Sequence, residues 1–230
     1  MKAEISKGIG VLLMGCLLSA CATHLRPAPE AREVVAGPGV GAEESAKDVH
    51  VEVRVQAWGW SPSRLDRHMT PALVKIENES DHPLRIRYED FVLVDASERR
   101  YAALPPFDID EEVNEPIRPA YGYHGFRVAP HLGYYYPYGP AYRGAFAYPG
   151  VYYGDYYTVM EDIQLPTTDM LSHALPEGVV EPDGRVAGFL YFEKVEEPEA
   201  ESAKVYFRFS LVDAKSGERF GSIEIPFQVD

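Results

Sequence analysis

The groups in this chain that could do chemistry are seven histidines, an excess of carboxylates, two cysteines and a crowd of aromatic side chains. The histidines are His24, His50, His68, His82, His124, His131 and His173. None stands at metal-ligand spacing from another, because a glycine-containing stretch separates even His124 from His131. The densest acidic run, Asp108-Ile109-Asp110-Glu111-Glu112, lacks the glycine and the alternating ligands of a calcium loop, so it reads as a solvated acidic loop with weak calcium binding as the alternative. No G-x-S-x-G elbow marks a nucleophilic serine. Gly122-Tyr123-His124-Gly125 does not sit between a strand and a helix, as a phosphate loop would. Cys16 and Cys21 are the only cysteines, which excludes a Cys-based zinc site and a CxxC redox pair. No catalytic residue, metal or cofactor is assigned.

Aromatic residues are the stronger signal. Residues 117–157 hold twelve of the sixteen tyrosines, with Gly or Pro every few positions. Neither a helix nor a long strand propagates through such a segment. Its charge before Asp155 comes from Arg118, Arg127 and Arg143, while an acidic collar from Asp108 to Glu115 lies just upstream. Three readings fit: a low-complexity loop folding back on the collar, an adhesive surface of Tyr and Arg, or a self-associating segment. As an adhesive surface, its contacts would be Tyr134, Tyr135, Tyr136, Tyr138, Arg143, Tyr152 and Tyr153, facing an envelope protein, a polysaccharide or the headgroup layer of a membrane. Trp58-Gly59-Trp60 is a second aromatic point, read as the cap of a core in preference to a sugar site.

The elements that must position these groups are strands. Val49, Val51, Val53, Val55 and Ala57 alternate with His50, Glu52, Arg54 and Gln56, so one face is apolar and one wet. Strand-like runs follow at 72–78, 84–88, 91–95, 186–192, 205–212 and 222–229, separated by polar turns. Pro226 marks the last as an edge strand. One short helix is expected at 168–175, with Thr167 or Thr168 as N-cap. Seven short strands with almost no helix predict an all-β fold: an antiparallel immunoglobulin-like β-sandwich with one short helix and a long Tyr/Gly/Pro-rich insertion. Residues 49–230 form this domain. Residues 22–47, rich in Ala, Pro, Gly and Glu, read as a disordered tether with a reach of about 30 Å.

The N-terminus carries an export signal: Lys2 and Lys7, then an apolar stretch over 9–18 too short and too glycine-broken to span a bilayer. The run Leu18-Ser19-Ala20-Cys21 resembles the lipobox of bacterial lipoproteins. That resemblance implies cleavage after residue 20, acylation of Cys21 and stable membrane anchoring through several acyl chains. Ala22 in place of Asp implies the outer membrane. The blocks TPALVKIENESDHPLRIRYEDFVLVD and ALPEGVVEPDGRVAGFLYFEKV resemble the small immunoglobulin-like domains of bacterial lipoproteins, with an N-x-S-type turn and a later glycine-bearing segment. The resemblance covers 49–103 and 165–229. It implies that Gly178, Gly184 and Gly188 are turn or close-packing positions, and it carries over no catalytic residue.

A formal charge of −14 repels phosphate backbones and argues against nucleic-acid binding. The expectation is a lipid-anchored, non-enzymatic lipoprotein of the bacterial cell envelope with a binding or structural role. Two classes compete with it. One is an envelope hydrolase whose site is assembled across strands. The other is an accessory subunit of an envelope assembly or transport complex.

Overall fold

The structure, a computed structural model, describes residues 24–116, 160–196 and 203–229. Fourteen strands and one short α-helix occur in them: β1 Leu25–Pro27, β2 Arg32–Val34, β3 Val40–Ala46, β4 Val49–Val55, β5 Met69–Asn78, β6 Leu84–Ile86, β7 Phe91–Asp95, β8 Arg100–Leu104, β9 Glu112–Pro116, β10 Met160–Gln164, α1 Thr168–His173, β11 Gly178–Val180, β12 Gly184–Glu193, β13 Lys204–Val212 and β14 Arg219–Val229. Ten form one antiparallel sheet in the order β1-β14-β13-β7-β8-β12-β5-β4-β3-β2; β9 with β10 and β6 with β11 form two small ribbons. The all-β, antiparallel expectation is met.

The large sheet is one continuous surface with a weak seam. β8 and β12 are joined by only two register pairs, Tyr191↔Leu104 and Phe192↔Ala103, which divides the sheet into halves of five strands. The opposite ends curl together, bringing β1 and β14 against β3. There the Gln56 amide donates to the Leu25 carbonyl at 2.9 Å, completing a flattened, nearly closed barrel. Closure shelters backbone groups that an open edge would leave unpaired.

Period-two alternation explains the interior. Val49, Val51, Val53 and Val55 of β4 are all buried, as are Val74 and Ile76 of β5 and Phe207, Phe209 and Leu211 of β13. They form a single core with Phe91, Phe192, Ile225 and Phe227. Phe91 stacks on Phe209 with ring centroids 4.3 Å apart and an interplanar angle of 9°.

The segment read as a disordered tether is the main correction. Residues 32–46 make β2 and β3, which pair with each other and then with β4 along its length, Val40↔Val55 through Ala46↔Val49. The reason lies in the glycines at every second position. A Cβ on Gly37 would stand 2.8 Å from Arg54 Cζ, and one on Gly41 2.8 Å from Arg54 Cγ. Gly39 has φ +66, and its Cβ would meet the Val55 carbonyl at 2.2 Å. These residues lie flat over Arg54, whose guanidinium donates to the Ala36 and Pro38 carbonyls and to Glu52. Arg54, placed on the wet face by alternation, is therefore buried. Strands of the fold thus already occupy residues 25–46, ahead of the expected boundary at residue 49.

Two smaller differences follow from the same closure. β14 is not the outermost strand, because β1 pairs outside it over three residues, Leu25↔Val229 to Pro27↔Phe227. Pro226 sits just beyond that pairing, where its carbonyl accepts from Ala28 N at 3.1 Å. Its missing N–H thus faces the edge, so the local reason for an edge reading stands. The helix begins as expected: Thr167 is the N-cap, its hydroxyl accepting from Met170 N at 3.2 Å.

Candidate functional site

One end of the barrel is built differently from the rest. A second apolar cluster, Ala57, Leu65, Met69, Ile109, Val113, Leu165, Met170, Phe189 and Tyr191, lies there outside the main core. The segment 57–68, the β9–β10 ribbon and α1 enclose it, and its aromatic centre is Trp58. The Trp58 indole N–H donates to the Pro62 carbonyl at 2.8 Å. Its ring meets Phe189 and Tyr191 edge-on, at 5.2 Å and 5.9 Å between centroids. Tyr191 is fully buried, and its hydroxyl donates to the Met170 carbonyl at 2.8 Å; burial pushes that hydroxyl's pKa up, so it stays a neutral structural donor.

Trp60 behaves differently. It keeps 40% of its surface exposed while stacking on His173, with centroids 4.0 Å apart. Trp58 therefore caps the core as the sequence suggested, and Trp60 is presented to solvent.

The segment 61–68 ties this end together. Ser61 N donates to the Asp169 carboxylate at 3.0 Å, and the Thr167 hydroxyl donates to Ser61 O at 2.7 Å. The carboxylate of Glu115, a buried residue on β9, accepts from Ser63 N at 2.7 Å, Ser63 Oγ at 3.1 Å and Arg64 N at 2.5 Å. A carboxylate buried in this way is stable only when its lone pairs are occupied, and here three donors occupy them. His68 Nδ1 lies 3.2 Å from Glu111 Oε1. Where the chain enters the fold, His24 lies 3.8 Å from Asp66, and the Lys194 ammonium donates to the Asp66 carbonyl. Burial lowers the Lys194 pKa, opposed by the nearby Asp66 charge.

A hollow of about 230 Å³ opens beside Trp58, lined among others by His24, Gln56, Ser63, Asp66 and Thr70. It brings a serine, a histidine and an aspartate to one place, which is the arrangement a hydrolase would need. The geometry does not serve that chemistry. The Ser63 hydroxyl donates to Glu115, whose oxygens are already committed to backbone N–H groups, so Ser63 has no free base beside it. Among the described residues no group of three or more His, Cys, Asp or Glu is placed to hold a metal ion.

No family model, curated protein or solved structure matches the chain. The site is therefore weighed on its own geometry. Cys21 and the tyrosine-loop positions Tyr134, Tyr135, Tyr136, Tyr138, Arg143, Tyr152 and Tyr153 lie outside the described residues. What the structure does place is the base of that loop. Pro116 of β9 and Met160 of β10 are register partners, so residues 117–159 leave and re-enter the fold side by side on a paired stem. The stem is fixed to segment 61–68 through Glu115, a role sequence reasoning missed. Its trace in sequence is the apolar pair Ile109 and Val113 within an acidic run, both members of the second cluster.

Of the glycines carried over by resemblance, two are close-packed. A Cβ on Gly188 would stand 2.5 Å from Leu175 Cα, and one on Gly184 2.7 Å from Glu181 O. Gly178 has open space around its Cβ direction.

Proposed function

We propose that this protein is a lipid-anchored lipoprotein of the bacterial cell envelope, with Ala22 directing it to the outer membrane, and that its role is binding or structural, not catalytic. The observation that carries the reading is Leu18-Ser19-Ala20-Cys21 in register behind Lys2, Lys7 and a short apolar core. The first described strand, β1, starts at Leu25, so an anchor at Cys21 would be four residues from it in the chain. Among the described residues no helix is long and apolar enough to cross a membrane.

We read the domain as an immunoglobulin-like sandwich. What supports this is strand order: β4-β5-β12 on one half and β8-β7-β13-β14 on the other match the A-B-E and C-F-G neighbours of that architecture, with β8 as an added strand beside C. The tyrosine-rich residues 117–157 are the proposed contact surface for an envelope protein or polysaccharide, because Tyr and Arg give large contact area at low entropic cost.

The test is fractionation of cells making the full chain or C21S. The wild-type protein should float with membranes, and C21S should appear in the soluble fraction. A variant that still floats with membranes sinks the anchor. Cross-linking in the same cells, with residues 117–159 replaced by an Asn-Gly turn between Pro116 and Met160, tests the contact surface. An unchanged set of cross-linked partners rules it out.

A further inference from the structure

We infer that the Trp60 end of the barrel rests on the lipid surface that holds Cys21, with the Trp60 indole in the headgroup layer. The inference builds on the lipid anchor proposed above and goes beyond it, since an anchor alone does not orient a domain.

Chain length is the first argument. His24 is the third residue after Cys21, and three residues span at most about 11 Å when fully extended. His24 itself is fixed beside Asp66, and Leu25 is buried and paired with Val229. With no tether of the kind the sequence suggested, the end of the barrel where the chain enters must lie within roughly that distance of an acylated cysteine.

Trp60 is at that end. His24 and Trp58 line the same hollow, and the Trp58 and Trp60 rings are 5.3 Å apart. Five large apolar side chains are exposed among the described residues: Val35, Trp60, Phe107, Leu171 and Val179. Trp60 and Leu171 belong to segments that enclose the second core, and Phe107 lies two residues before its member Ile109. An amphipathic indole is the side chain best suited to the boundary between headgroups and water. Its partner His173 stacks beneath it, so the ring is held outward and does not fold into the core.

Charge selects the kind of surface. The exposed Arg67 and half-exposed Arg64 lie on this end, but so do Asp108, Asp110, Glu111 and Glu112. The contact is therefore with a zwitterionic headgroup layer, not a strongly anionic one.

Trp58 and Trp60 are the only tryptophans in the chain, so emission reports this end directly. The full-length lipidated protein is reconstituted into phosphatidylcholine vesicles containing lipid brominated near the headgroup. Emission should fall to roughly half of its value in unbrominated vesicles, and W60F should lose the quenched component while keeping the Trp58 signal. Protein that floats with the vesicles yet is unquenched would overturn the orientation and leave the anchor standing. Protein that does not float would overturn both. The wild-type measurement alone decides between these, so the result stands even if W60F folds poorly.

Discussion

Replacing Asn78 should cost this domain a large part of its stability. Asn78 is the last residue of β5 and is fully buried. Its amide nitrogen donates to His82 O at 2.8 Å and to Val180 O at 2.9 Å, and its Oδ1 accepts from Ser80 N at 3.2 Å and Ser80 Oγ at 2.6 Å. Every hydrogen-bonding position of the amide is used. The side chain joins the end of β5 to the 79–83 turn and to the β11–β12 connection. N78A removes four bonds and takes this partner from the Val180 carbonyl and the Ser80 N–H around a small void, while the Ser80 hydroxyl still reaches the His82 carbonyl. At a net of about 1 kcal/mol per bond the loss is ~4 kcal/mol. That is a large share of the roughly 5–15 kcal/mol that holds a domain together. For a domain this size it corresponds to about 8–16 °C in Tm. S80A removes the hydroxyl's bonds to Asn78 Oδ1 and His82 O and the one it accepts from His82 N, but keeps the amide bonds of Asn78, and should cost ~2 kcal/mol. N78D is isosteric but turns a carboxylate toward two carbonyls and buries its charge. Its folded pKa must therefore rise, so the extra penalty is full above the folded value, shrinks as pH falls through it, and is gone below the unfolded value near ~4. The assay is guanidinium unfolding followed by tryptophan emission, with midpoint and slope compared across the three variants. If N78A unfolds within ~1 kcal/mol of wild type, the network does not stabilise the fold and the argument is refuted.

Two further outcomes follow from the geometry. G188A would press its Cβ to within 2.6 Å of both Leu175 Cα and Leu175 N, backbone atoms pinned by the Leu175 N to Phe189 O bond of 2.8 Å, so a loss of about 3 kcal/mol or failure to fold is expected; a wild-type unfolding midpoint would contradict the packing. Asp213 accepts from Ser216 N at 2.7 Å, His82 Nδ1 at 2.9 Å and Lys215 N at 2.8 Å, and the Ser216 bond leads these in holding its carboxyl down to about 2. Because the folded value lies below the unfolded one, its stabilisation is complete above roughly pH 4 and disappears as pH falls toward 2, so D213N should flatten the acid limb of the unfolding midpoint against pH. An acid limb identical in D213N and wild type would remove Asp213 from the cause.

Strands with period-two alternation were legible in the sequence because the cue is local. Val49 to Val55, Phe91 to Asp95 and Val205 to Val212 each carry an apolar face that needs no partner to be recognised. β1, β2 and β3 were not legible, because what orders them lies outside their own span: β14 for β1, and Arg54 for the junction of β2 and β3. In isolation their glycines signal disorder. Against a buried guanidinium, the same glycines are the only residues that fit. β8 and β9 failed for a related reason. Arg100–Leu104 and Glu112–Pro116 expose charged side chains and earn strand geometry from pairing, not from composition. Closure of the sheet, which covers the strand carrying Pro226, is non-local altogether.

The candidate site was legible only in its aromatic residues, and the structure gives them a context that composition lacks. Segment 61–68 receives His24 through Asp66, the loop stem through Glu115 and α1 through Ser61. These contacts place the chain entry, the exposed Trp60 and the base of residues 117–159 on one end of the barrel. Because Pro116 and Met160 are paired and Glu115 is held by three donors, the point of departure of that insertion is fixed relative to Trp60. If Cys21 carries the proposed anchor, a domain joined to it three residues before His24 has little freedom to turn its aromatic face away from the membrane. If the insertion binds a partner, the partner is met beside the lipid surface and not some 30 Å above it, the height that a flexible tether of that length would have allowed on average, at about 5–6 Å × √n.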